Sequence, residues 1–171
     1  APFTLVVAAN FPASNAKEFL ALVRANPGKY TFASSGTGAT AHMFAELFNS
    51  MAQLKVLHIP YKGSVPALTD VIGGQVHMMV STFASALPHV KSGRLRALGV
   101  TSAKRSSATP DVPTLMEAGV PGYDYSTWYG LLVPSHTPRT IVGLRLLTTA
   151  GPTDTRYRLC PDTTLPDFQL T

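Results

Sequence analysis

The sequence predicts an α/β fold with a mainly parallel sheet and helices on both faces. Three observations predict it. Short apolar, β-branched runs alternate with segments of helical periodicity as far as about residue 100. The helical segments run to about ten to fifteen residues, the length that crosses over between parallel strands. Gly, Pro or Asn punctuates most junctions, as chain reversals require.

Phe3-Thr4-Leu5-Val6-Val7 reads as the first strand. Ser14 is placed to cap a helix whose Phe19, Leu20, Leu22 and Val23 fall on one face, and Asn26-Pro27-Gly28 ends it. Tyr30-Thr31-Phe32-Ala33 is the second strand. A Ser/Gly/Thr loop then leads to a helix with Met43, Phe44, Leu47, Phe48 and Met51 on its apolar face. Lys55 to Ile59 is the third strand and Pro66 to Ile72 the third helix. Val76 to Val80 is a buried strand, followed by a helix from Phe83 to about Lys91, and Arg96 to Val100 is the fifth strand. Beyond Lys104 the pattern loosens. A Pro-braced loop from Thr109 to Pro113 precedes a short helix at Thr114 to Ala118, and Gly119 to Gly122 turns the chain. Tyr125 to Val133 reads as a long aromatic strand, and Pro138 can open another helix. From Gly143 the periodicity fails, and Gly151-Pro152, Pro161 and Pro166 break up a Thr- and Asp-rich stretch. The sequence thus predicts one lobe over residues 1–142 and an irregular tail over 143–171.

Composition narrows the function. Hydrophobic residues make up 45% and charged residues 13%, which is globular and not disordered composition. No run of eighteen apolar residues exists to span a membrane. Ala1 to Val7 has neither the basic region nor the long apolar core of a secretory leader, so any leader is expected to lie outside this sequence. The net charge of +5 raises the question of a nucleic-acid partner. Lys and Arg are scattered, however, with no basic helix or basic–aromatic ladder. Arg94, Arg96, Lys104 and Arg105, the densest group, are expected on a solvated face. An anionic small ligand suits the balance, and no nucleic acid is expected. The lone Cys160 excludes an internal disulfide and a cysteine-based metal cage.

In parallel α/β sheets, ligands sit beyond the carboxyl ends of the strands. That rule selects four loops: Ser34 to Gly38, Pro60 to Ser64, Ser81 to Phe83, and Thr101 to Arg105. The first is the most informative. A strand ends, small residues turn the backbone, and a helix starts at Ala39-Thr40, so free N–H groups and the positive end of the helix dipole face outward. Hydroxyls of Ser34, Ser35, Thr37 and Thr40 add donors, which makes an anion site. The same residues also suit a hydroxyl-capped glycine turn with no ligand. Gly36-Thr37-Gly38-Ala39-Thr40-Ala41 fits G-x-G-x-x-A, which opens a nucleotide- or NAD-binding enzyme reading. That motif wants an acid about twenty residues on for the ribose, and none stands between Ala52 and Ser64. No Lys-Ser or Lys-Thr follows the glycines, so a P-loop fails. There is no G-x-S-x-G elbow. The histidines at 42, 58, 77, 89 and 136 include no i, i+4 pair for zinc, and His42 and His58 read as packed or hydrogen-bonded structural residues. No Asp or Glu lies in the four loops, which does not suit general acid–base work. No catalytic residue, metal or cofactor is expected.

Several segments together carry a resemblance. They include Ala33-Ser34-Ser35-Gly36-Thr37-Gly38 with His42, Glu46-Leu47-Phe48, and His58-Ile59-Pro60-Tyr61-Lys62-Gly63. They continue with Leu95-Arg96-Ala97-Leu98-Gly99-Val100-Thr101, Pro110-Asp111-Val112-Pro113-Thr114 and Trp128-Tyr129-Gly130-Leu131-Leu132-Val133-Pro134. From about residue 3 to about residue 142 the chain resembles the extracytoplasmic solute receptors of the tripartite tricarboxylate transporter family, the Bug family. The resemblance implies a type II periplasmic-binding-protein-like lobe of a two-lobed flytrap. Such a receptor grips a small carboxylate between helix N-termini and passes it to membrane components of the transporter. It implies a periplasmic location and no chemistry on the ligand. The matched binding segments are Ser34-Ser35-Gly36-Thr37-Gly38-Ala39-Thr40, Tyr61-Lys62-Gly63 and Ser81-Thr82-Phe83. Trp128 lines the cleft or hinge, or else packs beneath the aromatic strand. Some relatives carry an acid where Ser81 stands, and its absence points away from an amino-acid ligand. Two departures stand out. The family's chains are much longer, so most of a first lobe is expected to precede Phe3, and Leu144 to Thr171 lacks the family's regular helices. A lobe that binds nothing is the remaining alternative.

Overall fold

The computed structural model describes residues 2–127. Nine elements follow in strict alternation: β1 (Phe3–Ala8), α1 (Ala16–Ala25), β2 (Thr31–Ser34), α2 (Thr40–Met51), β3 (Leu57–Pro60), α3 (Ser64–Ile72), β4 (Met78–Thr82), α4 (Phe83–Lys91) and β5 (Leu95–Val100). The expected Trp128, the long strand past Thr127, the helix at Pro138, the 142/143 boundary and Cys160 lie outside the described residues.

The five strands form one sheet in the order β3-β2-β4-β1-β5. β2 pairs parallel with both β3 and β4, whereas β1 pairs antiparallel with β4 and with β5. Four strands therefore point one way, and the first runs against them. β1 is buried at every position, as an apolar run closed in on both faces must be. β3 sits at the edge, with Leu57 and Ile59 exposed.

Alternation along the strands builds two cores. Leu5, Val7, Phe32, Met78 and Val80 face α1 and α2, where Phe19, Leu20, Val23, Ala45 and Phe48 meet them. Val6, Ala33 and Met79 face the other way, onto Ala67, Leu68 and Val71 of α3 and Ala86 of α4. Helices thus cover both faces, as the alternating pattern predicts.

Local details differ from expectation in three places. Asn15, not Ser14, caps α1: Asn15 is extended and its side chain accepts from the Glu18 N–H at 2.9 Å. Glu18 in return accepts from the Ser14 N–H and from Asn15 Nδ2, each at 2.7 Å, so the two side chains close the helix start together. Thr114 to Ala118 is a single turn and no helix. Thr114 and Glu117 cap each other, but Leu115 N–H is tied to Val100 O and Gly119 adopts φ +110°, which stops the turn from propagating. Arg96 is no solvated cation. Its guanidinium donates to the carbonyls of Ala9, Phe11 and Ala13, pinning the β1–α1 loop. Arg105 pairs with Glu117 at 3.0 Å.

Candidate functional site

Because β2, β3, β4 and β5 share a direction, their carboxyl ends lie along one edge of the sheet. The four expected loops leave from that edge, and α2, α3 and α4 begin there. The chain leaves β2 towards β3 on one side and returns to β4 on the other. The crevice between the carboxyl ends of β2 and β4 is therefore a topological switch point, where ligands of open α/β sheets bind.

Two loops close over one another at this crevice. Tyr61 N–H donates to Ser34 O at 3.0 Å and Gly63 N–H to Ser35 O at 3.2 Å, while a Cβ at Gly36 would stand 3.7 Å from Tyr61 O. Ser34 is fully buried. Its hydroxyl donates to Gly36 O at 3.0 Å, accepts from Gly36 N–H at 3.2 Å and meets His58 Nε2 at 2.7 Å, so it shapes the loop. Ser35 and Gly36 are half-buried; Thr37, Gly38 and Thr40 are exposed. Gly36 and Gly38 adopt φ +143° and +78°, conformations that glycine enters without penalty.

The helix starts differ among themselves. Ala39 precedes α2 and Gly63 precedes α3, and neither supplies a side-chain cap. The amides of those first turns keep their polarity free for an anion. Thr82 caps α4 from the side chain, accepting from Ser85 N–H and donating to Ser85 Oγ at 2.9 Å. Lys62 is exposed. Tyr61 donates its hydroxyl to Asp70 at 2.6 Å; burial, then that carboxylate, pushes its pKa up to about 12. Phe83 lines an open, apolar cavity of about 460 Å³ with Pro2, Leu87 and Lys91, to which neither the Ser34–Gly38 nor the Tyr61–Gly63 loop contributes.

Ser81 has a different status. It is 1% exposed, and its Oγ has no hydrogen-bond partner among the described residues. Met79 faces the α3/α4 side and Val80 the α1/α2 side, so Ser81 points to the α3/α4 side. The β2–β4 ladder pairs Phe32 with Met78 and Ala33 with Met79, and on the other side of β4 Ser81 pairs with Thr4 of β1. A buried hydroxyl without a partner among the described residues thus stands near the carboxyl end of β4 on the α3/α4 side.

The sequence set His42 with this loop and read His42 and His58 as packed or hydrogen-bonded, but did not bring His58 to the loop. Gly38 N–H donates to His42 Nδ1 at 3.0 Å, and the two imidazoles stack with centroids 4.0 Å apart. Burial first, then the His42 ring, hold the His58 pKa below the ordinary value, against the pull of Glu46. The i, i+4 spacing of Gly38 and His42 was the available signal; the His58 contact needed the β2–β3 register.

Comparison with known proteins bears on the family and the fold. The profile of the tripartite tricarboxylate transporter family receptor matches residues 1–156. A UPF0065 protein in the tcbD-tcbE intergenic region of a Pseudomonas species is 42% identical over 142 residues, covering 82% of this chain and 42% of that protein. BugT of Bordetella pertussis is 37% identical over 142 residues, covering 82% and 44%. An R. palustris protein solved with adipate superposes with a TM-score of 0.78 at 35% identity, covering 82% of this chain and 47% of the other. MatC of Rhodopseudomonas palustris with bound malate superposes at 0.74 with 31% identity, covering 82% and 48%. The periplasmic binding protein BugD superposes at 0.75 with 35% identity. This likeness bears out the periplasmic-binding-protein-like fold, and the chain spans less than half the length of these relatives. A profile match over most of its length, carried on the same lobe fold, makes this chain a member of the tripartite tricarboxylate transporter receptor family.

Proposed function

We propose that this chain is a periplasmic solute receptor, or a lobe of one, that captures a small carboxylate at the β2–β4 crevice for tripartite tricarboxylate-type membrane partners, without chemistry on the ligand. The observation that carries the reading is the Ser81 hydroxyl, buried at the end of β4 with no hydrogen-bond partner among the described residues, together with the starts of α2 and α3, which no side chain caps. Buried hydroxyls ordinarily find partners, and free amides at a helix start attract an anion. The ligand residues proposed are Ser35, Gly36, Thr37, Gly38, Ala39 and Thr40 from the first loop, Tyr61, Lys62 and Gly63 from the second, and Ser81, Thr82 and Phe83 at the end of β4. Ser34 acts from beneath by shaping the first loop. Adipate and malate are the ligands to try first, since they occupy the related structures.

The test is calorimetric titration with adipate, malate and, as the competing nucleotide ligand, NAD. Carboxylate binding without NAD binding is the expected result. Ser35→Ala should weaken it by about 0.5–1.5 kcal/mol, the net value of one hydrogen bond. Gly38→Asp should abolish it, because a fixed carboxylate at the α2 start occupies the site. NAD binding, or carboxylate affinity indifferent to both substitutions, would overturn the reading.

A further inference from the structure

The Ser34–Gly38 loop is fastened at both ends by imidazoles. At its far end Gly38 N–H donates to His42 Nδ1 at 3.0 Å, so that nitrogen carries no proton and the ring's hydrogen is on Nε2, 3.6 Å from Glu46 Oε1. At its near end Ser34 Oγ lies 2.7 Å from His58 Nε2. The single Ser34 hydrogen is directed at Gly36 O, so His58 Nε2 is the donor. The two rings stack at 4.0 Å and 20°, and Phe32 lies against His58 at 4.7 Å and 22°. Glu46 of α2 is the charged group that faces both rings, and the His42 side chain is 16% exposed.

From this cluster we propose that His42 and His58 are positioning residues, a stacked clamp that holds the anion loop only while His42 Nδ1 is unprotonated, so that the site lets go of its carboxylate on acidification. The proposal rests on the reading of this loop as a carboxylate site. A proton on Nδ1 turns the acceptor into a donor aimed at the Gly38 N–H, and the bond is lost. His58 cannot take up the charge instead without setting it in a buried stack against its neighbour, in keeping with its lowered pKa. The sign is distinctive. If the histidines served as cations for the ligand, acid would strengthen binding; a clamp makes acid weaken it.

Two measurements on the full chain test the clamp. In the ligand-free, nitrogen-15-labelled protein, the Gly38 amide resonance should move on acidification in step with the His42 ring resonances. In His42→Asn, whose Oδ1 accepts the same amide and does not titrate, the Gly38 resonance should stay put while the remaining spectrum reports an intact fold. A Gly38 amide indifferent to pH, or one that titrates equally in the variant, overturns the proposal. Calorimetry with adipate should then show affinity falling at least roughly threefold on the same acidification as the competent fraction shrinks. His42→Asn should remove most of that ratio, whatever its affinity at neutral pH. Affinity that rises with acid overturns the proposal. A Gly38 amide that follows His42 in a chain that binds adipate at neither pH leaves the clamp standing and brings down the carboxylate reading instead.

Discussion

Ser81 sets stability against function at the scale of one residue. Its neighbours on β4, Met79 and Val80, fill the two cores, while its own buried Oγ meets no partner among the described residues. Leaving a buried hydroxyl unpaired costs about 1–3 kcal/mol. Ser81→Ala should therefore raise the stability of the ligand-free chain by about 1 kcal/mol in urea denaturation and weaken adipate binding in calorimetry. A variant that loses stability would show that the hydroxyl serves packing and not a ligand. The residue's burial was hidden in the sequence. The apolar run Val76 to Val80 reads as the whole strand, but the observed strand runs Met78–Thr82, because Val76 and His77 give their N–H groups to Asp70 O and Thr31 O.

Among the elements, the helix starts divide by the edge of the sheet on which they lie. β1 runs against its neighbours, so α1 begins at the edge away from the crevice, and it is capped from the side chains of Asn15 and Glu18. α2 and α3 begin at the crevice with no side-chain cap. A structural helix end is closed off, whereas a binding end keeps its amides for an anion, each such end being worth about 0.3–1 kcal/mol. Asn15→Ala should lower stability by about 1 kcal/mol, within the usual range of roughly 0.5–2, and leave carboxylate affinity where it was. A drop in affinity of similar size would mean that the cap at the far edge is coupled to the crevice.

The whole fold should lose stability in acid. His77 accepts the Thr31 N–H on Nδ1 at 3.1 Å, at the amino end of β2, and His58 lies near its carboxyl end. Burial lowers the pKa of both; the charge of Lys29 adds to it at His77 and the His42 ring at His58. A histidine whose folded pKa is lowered stabilises the fold fully above its unfolded value of about 6.5 and loses that contribution as pH falls towards the folded value. Chemical denaturation at a series of pH values should therefore show a plateau above neutrality and a decline below it. Stability that climbs between about pH 7 and pH 5 would contradict the assignment of these imidazoles as neutral.

Over residues 3–100 the sequence by itself determined the elements, since periodicity is local: five strands and four helices there fall within two residues of where their apolar spacing puts them, and the crevice loops follow from strand–helix alternation alone. It also marked the Gly36–Gly38 turn, because positive φ demands glycine wherever the chain goes next. Tertiary structure alone decided the rest. The reversal of β1 and the order β3-β2-β4-β1-β5 depend on which neighbours bury which strand faces, and the apolar run of β1 reads the same in either direction. The contact of His58 with Ser34 and the approach of Tyr61 to the same loop exist only in the β2–β3 register. That the Ser81 hydroxyl meets no partner among the described residues is likewise a property of everything packed around it, and no local pattern of residues can encode that.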